Sequence, residues 1–215
     1  RKTAPMALAY IKTIIQYIKN GKWNEDVDNT GDIKIDKLVH PDIHFSFPVN
    51  KTESVKGDKL RSDDFIDLWR EAVQEMPYMS LNAWYNHIGL LNAQVNISVH
   101  ESSNIMKKLS LKPFESEYKF MVIWQAERIH QSAANKLLKL IEEPPEKTVF
   151  ILIAQSTENI LPTILSRCQL VQFSSIDKTS MQEALSKNQE LSSAQISNIV
   201  QLSEGNLNKA YELIN

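Results

Sequence analysis

The sequence predicts an α/β protein: a parallel sheet flanked by helices, followed by a small helical bundle. Two observations carry this. Residues 118–173 alternate strand-like and helix-like runs, at 118–124, 131–142, 148–154, 158–166 and 170–173. That alternation is the order of parallel βαβ units. After Ser174 strand-like runs cease, and three helical stretches follow at 178–188, 192–203 and 206–214. The expected organisation is a sheet domain over 1–174 and a helical domain over 175–215.

Each element has a local reason. Leu8, Ile11, Ile15 and Ile18 recur at helical spacing over 7–19, with Pro5 near the start and Gly21 as a stop signal. The polar stretch 22–36 reads as a surface connection. HFSFPV at 44–49 alternates as a strand does and closes on Pro48. Residues 50–61 are polar loop. A helix over 65–75 places Phe65, Leu68, Trp69 and Ala72 on one side. Residues 77–86 read as an aromatic-rich link, 95–99 as a short strand and 102–109 as a helix. The run YKFMVIW at 118–124 is nearly all apolar, as in a strand covered on both faces, and TVFILIA at 148–154 reads the same way. Between them, Ala134, Leu137, Leu138 and Ile141 mark the inward face of a helix that Pro144-Pro145 ends.

Composition excludes several classes. The chain has 215 residues, 42% hydrophobic, with 24 Lys+Arg against 26 Asp+Glu. This is an ordinary globular balance, unlike that of a strongly basic nucleic-acid binder. A lone cysteine, Cys168, excludes an internal disulfide and a cysteine-rich zinc site. There is no apolar run of membrane-spanning length and no signal-peptide pattern, so a cytoplasmic setting without membrane contact is expected. The start, Arg1-Lys2-Thr3 without Met, reads as that of a fragment or of a sequence lacking upstream residues.

One constellation is specific. Asn135-Lys136-Leu137-Leu138-Lys139-Leu140-Ile141-Glu142-Glu143-Pro144-Pro145 leads into the strand at 149–154. Then follows Leu161-Pro162-Thr163-Ile164-Leu165-Ser166-Arg167-Cys168. This order of EEPP, strand and SRC resembles the clamp-loader subunits of bacterial DNA polymerase III. The likeness is nearest to the delta-prime kind, with His40-Pro41-Asp42 before the first strand, and gamma/tau is related. It is strong over 115–173 and weaker elsewhere. The resemblance implies an AAA+ nucleotide-binding-type fold with a three-helix lid; the family's C-terminal collar domain is expected to be absent from this chain.

The resemblance also implies a division of labour. ATPase members carry a phosphate loop, an Asp-Glu pair ending the central strand, and a lid arginine. Here no GxxxxGK[ST] exists, Lys2-Thr3 being at most a decayed remnant, with Arg1 in place of the last glycine. Trp124 and Gln125 stand where Asp-Glu would, and Asn208 stands at the lid arginine's place, next to Lys209. An indole cannot bind Mg²⁺ and a neutral amide is a poor base. Glu127 reads as a solvated acid at a helix start. The expectation is no ATP or zinc held by this chain and no activity alone. Arg167 of the SRC motif would then act in trans, as an arginine finger on ATP and Mg²⁺ bound by a neighbouring subunit, with Ser166 and Cys168 positioning it. The implied partners are the gamma/tau and delta subunits, and through the complex the sliding clamp and primed DNA in replication. The alternative is the ATP-hydrolysing gamma/tau-type motor subunit itself.

Other residues have plainer readings. His40 and His44 lie four apart, but no further nearby ligands make a metal site expected. Trp23, Trp69, Trp84 and Trp124 read as core residues. Lys107, Lys108, Lys112, Lys136 and Lys139 suit either a DNA-facing or a solvated surface. Glu142-Glu143 reads as a helix terminator.

Overall fold

A computed structural model describes residues 3–20, 33–90, 95–187 and 191–214. Its sheet has three strands, β1 (Ile43–Ser46), β2 (Lys119–Trp124) and β3 (Thr148–Ile153), in the order β1-β2-β3 and parallel throughout. Ile43 pairs with Phe120, and Trp124 with Ile153, which fixes the register.

The two-residue period of β2 sorts its side chains onto two cores. Phe120, Val122 and Trp124 join the cluster under helix α1 (Thr3–Asn20), where Ala7, Ile11 and Ile15 are buried. Met121 and Ile123 face the other way, against α5 (Val99–Leu109), α6 (Gln131–Glu142) and α7 (Pro162–Leu165), through Ile105, Leu109, Ala134, Leu137 and Ile164. Every residue of β2 is buried, as its unbroken apolar run predicts. β3 departs from its prediction: only Ile153 is fully buried and the others are half-buried.

The helix α3 (Ile66–Glu75) follows a single 3₁₀ turn at Ser62–Phe65. Two short helices were not anticipated. In the supposed connection, α2 (Ile33–Asp36) buries Ile35. In the supposed aromatic link, α4 (Leu81–His87) starts where the Ser80 hydroxyl accepts the Ala83 N–H at 3.1 Å, and it buries Leu81 and Trp84. The signal was present, as a serine cap followed by Leu81, Trp84 and Ile88 at helical spacing. The expected strand at 95–99 is reduced to single bridges of Ile97 to Ile129 and of Asn96 to Val49. Ser98 caps α5 by accepting the Glu101 N–H at 3.3 Å, so Val99 belongs to that helix. The expected strand at 170–173 forms no ladder, and Leu170, Val171 and Phe173 are exposed. A strand is stabilised by its neighbours, and none among the described residues lies beside this one.

Trp69, Trp84 and Trp124 converge with Phe47 in one aromatic cluster. Ring centroids are 4.2 Å apart for Phe47–Trp69 and 5.0 Å for Trp69–Trp124. Trp23 lies outside the described residues. Past residue 174, α8 (Lys178–Ser186), α9 (Ser193–Ser203) and α10 (Leu207–Glu212) share their own core of Met181, Leu185, Ile196, Val200 and Ala210. Gly205 turns the chain into α10 at φ +75°, and a Cβ there would stand 2.5 Å from the Ile176 carbonyl oxygen, so only glycine fits.

His40-Pro41-Asp42 proves to be a fastening. The Asp42 carboxylate, almost fully buried, accepts backbone N–H bonds from Phe114, Glu115 and Ser116 at 2.6–2.7 Å. Burial alone would raise its pKa, but these bonds outweigh it and hold the carboxyl below its usual range. Beside it the buried Lys119 ammonium donates to the Leu109 and Leu111 carbonyls. Two opposite charges thus pin the loop that feeds β2. Replacing Asp42 with Ala strands three N–H donors and should cost about 3 kcal/mol in urea unfolding; Asn, which keeps one acceptor oxygen, should cost less. Equal stability of Asp42→Ala and the parent protein would refute this role.

Candidate functional site

The SRC segment sits where the second core meets solvent. Pro162 opens α7 at a position where its missing N–H is not needed, and the buried Ile164 anchors the turn. Past α7 the chain tightens, with the N–H of Arg167 donating to Ile164 and that of Cys168 to Leu165 at 3.1 and 3.2 Å. This leaves Arg167 on the surface. Its Nη1 donates to the Thr163 carbonyl at 2.8 Å and to Ser166 Oγ at 3.2 Å. Its Nη2 lies 2.6 Å from Glu142 Oε1, and the arginine side chain is 38% exposed. Ser166 Oγ itself donates to the Thr163 carbonyl at 3.1 Å. Cys168 is half-buried against the second core, and burial pushes its thiol pKa up, which disfavours the reactive thiolate.

The far end of β2 is built differently. Trp124 is 3% exposed and packs on Trp69. A void of about 10 Å³ beside it is lined by carbon-rich side chains, among them Leu8, Phe45, Val122 and Ile153. Such a wall offers nothing to a hydrated cation. Gln125 is buried and left-handed, at φ 57°. Glu127 is not the solvated acid that its sequence position suggested. It is half-buried, and its Oε1 accepts the Gln155 backbone N–H at 3.1 Å, joining the loops that leave β2 and β3. A carboxylate can satisfy a neighbouring strand's backbone, and sequence distance hid that strand.

The remaining candidates are placed as follows. His40 is buried and its Nδ1 accepts the Asp42 N–H at 3.2 Å, so that nitrogen serves the turn. His44, on β1, is half-buried among Lys108, Asp42, Asp63 and Lys119. Burial, then the Lys108 charge, lower its pKa to about 4. Among the described residues no group of three or more His, Cys, Asp or Glu could hold a metal ion. Lys108 pairs with Asp63, and Lys136 donates to Ser103 Oγ at 3.3 Å. Lys209 lies 3.8 Å from Glu204 and is exposed. Arg1 and Lys2 lie outside the described residues, as does the Asn208 side chain.

One buried cluster escaped sequence reasoning. Glu101 is 1% exposed; its Oε2 accepts the Ser62 N–H at 2.9 Å, and burial raises its pKa. It lies under the polar face of β1, where Ser46 takes the position an apolar residue would have in a doubly buried strand. That interruption of the apolar pattern was the available signal.

The family model described as DNA polymerase III, delta subunit, matches residues 2–177. The chain belongs to that family. This DNA polymerase III delta-family chain is also 33% identical over 81 residues to the delta-prime subunit of Bacillus subtilis, and 35% identical over 86 residues to that of Haemophilus influenzae. These matches take in 38% and 40% of the chain, and 25% and 26% of the relatives. The tau subunit of B. subtilis is 37% identical over 86 residues, 40% of the chain and 15% of that protein. The chain therefore matches about a quarter or less of the length of these curated relatives. A solved gamma-subunit-related protein of Thermotoga maritima matches 55% of the chain and 38% of its own, at 29% identity and a TM-score of 0.45. Among the described residues of this delta-family chain, no helix is long and apolar enough to cross a membrane.

Proposed function

We propose that the chain is a non-hydrolysing, delta-prime-like subunit of the DNA polymerase III clamp loader. It lends Arg167 to the ATP site of a neighbouring gamma/tau-type subunit while the sliding clamp is loaded onto primed DNA. The observation that carries this reading is the contrast between two ends of one domain. Where an ATPase would hold Mg²⁺, this chain has Trp124 sealed in an aromatic cluster. Where a finger would project, it has a surface guanidinium on a well-anchored turn. Arginine suits the task because it stays charged and forks onto phosphate oxygens. ATP, Mg²⁺ and DNA are then met through the assembly, and this chain binds none of them in a site of its own. The test is loss of ATP turnover in a reconstituted loader carrying Arg167→Ala.

The similarity to the B. subtilis tau subunit favours a second reading, an ATP-hydrolysing motor subunit. Calorimetry of the full-length protein with Mg·ATP separates the two. The non-hydrolysing reading expects no heat of binding and no hydrolysis by the purified protein; turnover by that protein alone would establish the motor.

A further inference from the structure

The last residue of α6 is an acid, Glu142. Acids are disfavoured at helix C-termini, where the aligned peptide dipoles already present negative charge. The position therefore breaks a local rule, and Arg167 accounts for it. The guanidinium approaches from the turn after α7 and sets Nη2 2.6 Å from Glu142 Oε1. The pair spans two elements held by one core, in which Ala134 and Leu137 of α6 meet Ile164 of α7.

We propose that Glu142 is the positioning residue for Arg167 in the trans-acting site, an inference that rests on the finger reading above. Arginine has a long side chain with large rotamer entropy, and a finger is effective only if that entropy is removed before the transition state. Nη1 donates to the Thr163 carbonyl and to Ser166 Oγ, and the Glu142 carboxylate holds Nη2 as an ion pair. Among the described residues Nε has no acceptor. Nε–H is thus left for a phosphate oxygen to meet. Glu142 thus fixes the plane of the fork from one side and leaves the other side open. The first glutamate of the EEPP segment acquires a role beyond ending a helix.

The experiment is ATP hydrolysis by the reconstituted loader in the presence of clamp and primed DNA. Four versions of this subunit are compared: Glu142→Ala, Glu142→Gln, Arg167→Ala and the Glu142→Ala/Arg167→Ala double variant. Glu142→Ala should lower kcat about tenfold, the scale for removing a residue that orients a functional group, with KM for ATP within about twofold of the parent. Glu142→Gln, which keeps an acceptor oxygen, should recover part of the loss. The double variant should be no slower than Arg167→Ala. The pair is partly exposed and contributes little to folding, so the variants should assemble normally. Turnover by Glu142→Ala within twofold of the parent, beside a collapse in Arg167→Ala, would overturn the positioning role and leave the finger standing. A double variant slower than Arg167→Ala by the full Glu142 factor would do the same. Unchanged turnover in Arg167→Ala would remove the finger itself, and the positioning role with it.

Discussion

A clamp loader reconstituted with Arg167→Ala should turn over ATP at the adjoining site ~10³-fold or more slowly, the range known for arginine fingers in phosphoryl transfer. Single-turnover hydrolysis with clamp and primed DNA present would measure it. The size follows from the chemistry. Charge builds on the phosphoryl oxygens in the transition state, and a fixed cation there stabilises it where water is excluded. Arg167→Lys should not restore the rate, because an ammonium presents one point charge in place of a planar fork. Nucleotide affinity of the motor subunit should change far less than kcat. A loader whose single-turnover rate ignores the loss of Arg167 would refute the function proposed for this chain.

Acid should destabilise the protein through His44 before the carboxylates are reached. The folded imidazole has its pKa lowered to about 4, from 6.5, first by burial and then by Lys108. The unfolded chain therefore binds a proton that the folded one refuses as pH falls from about 6.5 to about 4. Stability is full above that window and declines across it, by about 3 kcal/mol. Asp42 and Asp63, with lowered pKa values, add their own loss at still lower pH. Glu101 works the other way, because its pKa is raised and its contribution fades as pH rises through the folded value. The clean measurement is a difference. Urea unfolding of the parent and of His44→Gln is followed from pH 7.5 to 4.5, with Glu101 common to both. The parent should lose stability relative to the variant as pH falls. Parallel curves would show that His44 titrates alike in both states.

Much of the fold was legible because its signals are local. The helix read at 131–142 coincides with α6, and the apolar run at 118–124 with β2. Both follow from periodicity and from breakers such as Pro144-Pro145. The failures are equally physical. Residues 170–173 have strand composition, but a strand exists only beside another strand, and composition does not say whether one is adjacent. In residues 77–86 the aromatic composition masks the serine cap, at Ser80, that starts α4. In the site, Arg167, Ser166 and Cys168 were legible as candidates from their motif, and Trp124 as a departure from the ATPase pattern. Glu142 as the ion-pair partner was not, nor was Glu127 as a staple between strand ends. In each case the two groups lie far apart along the chain, and no spacing rule connects them.

The sequence alone determined the α/β class, the helices and strands with strong periodicity, and the Trp124-Gln125 pair that closes β2. Each depends on a residue and its near neighbours. The tertiary structure decided which distant groups meet: Asp42 with the loop at 114–116, three tryptophans in one cluster, and Arg167 with Glu142. The Arg167–Glu142 pair depends on how α6 and α7 pack over one face of the sheet, and the tryptophan cluster on how α3 and α4 pack over the other. Such packing is set by the shapes of two cores at once, and no stretch of sequence contains it.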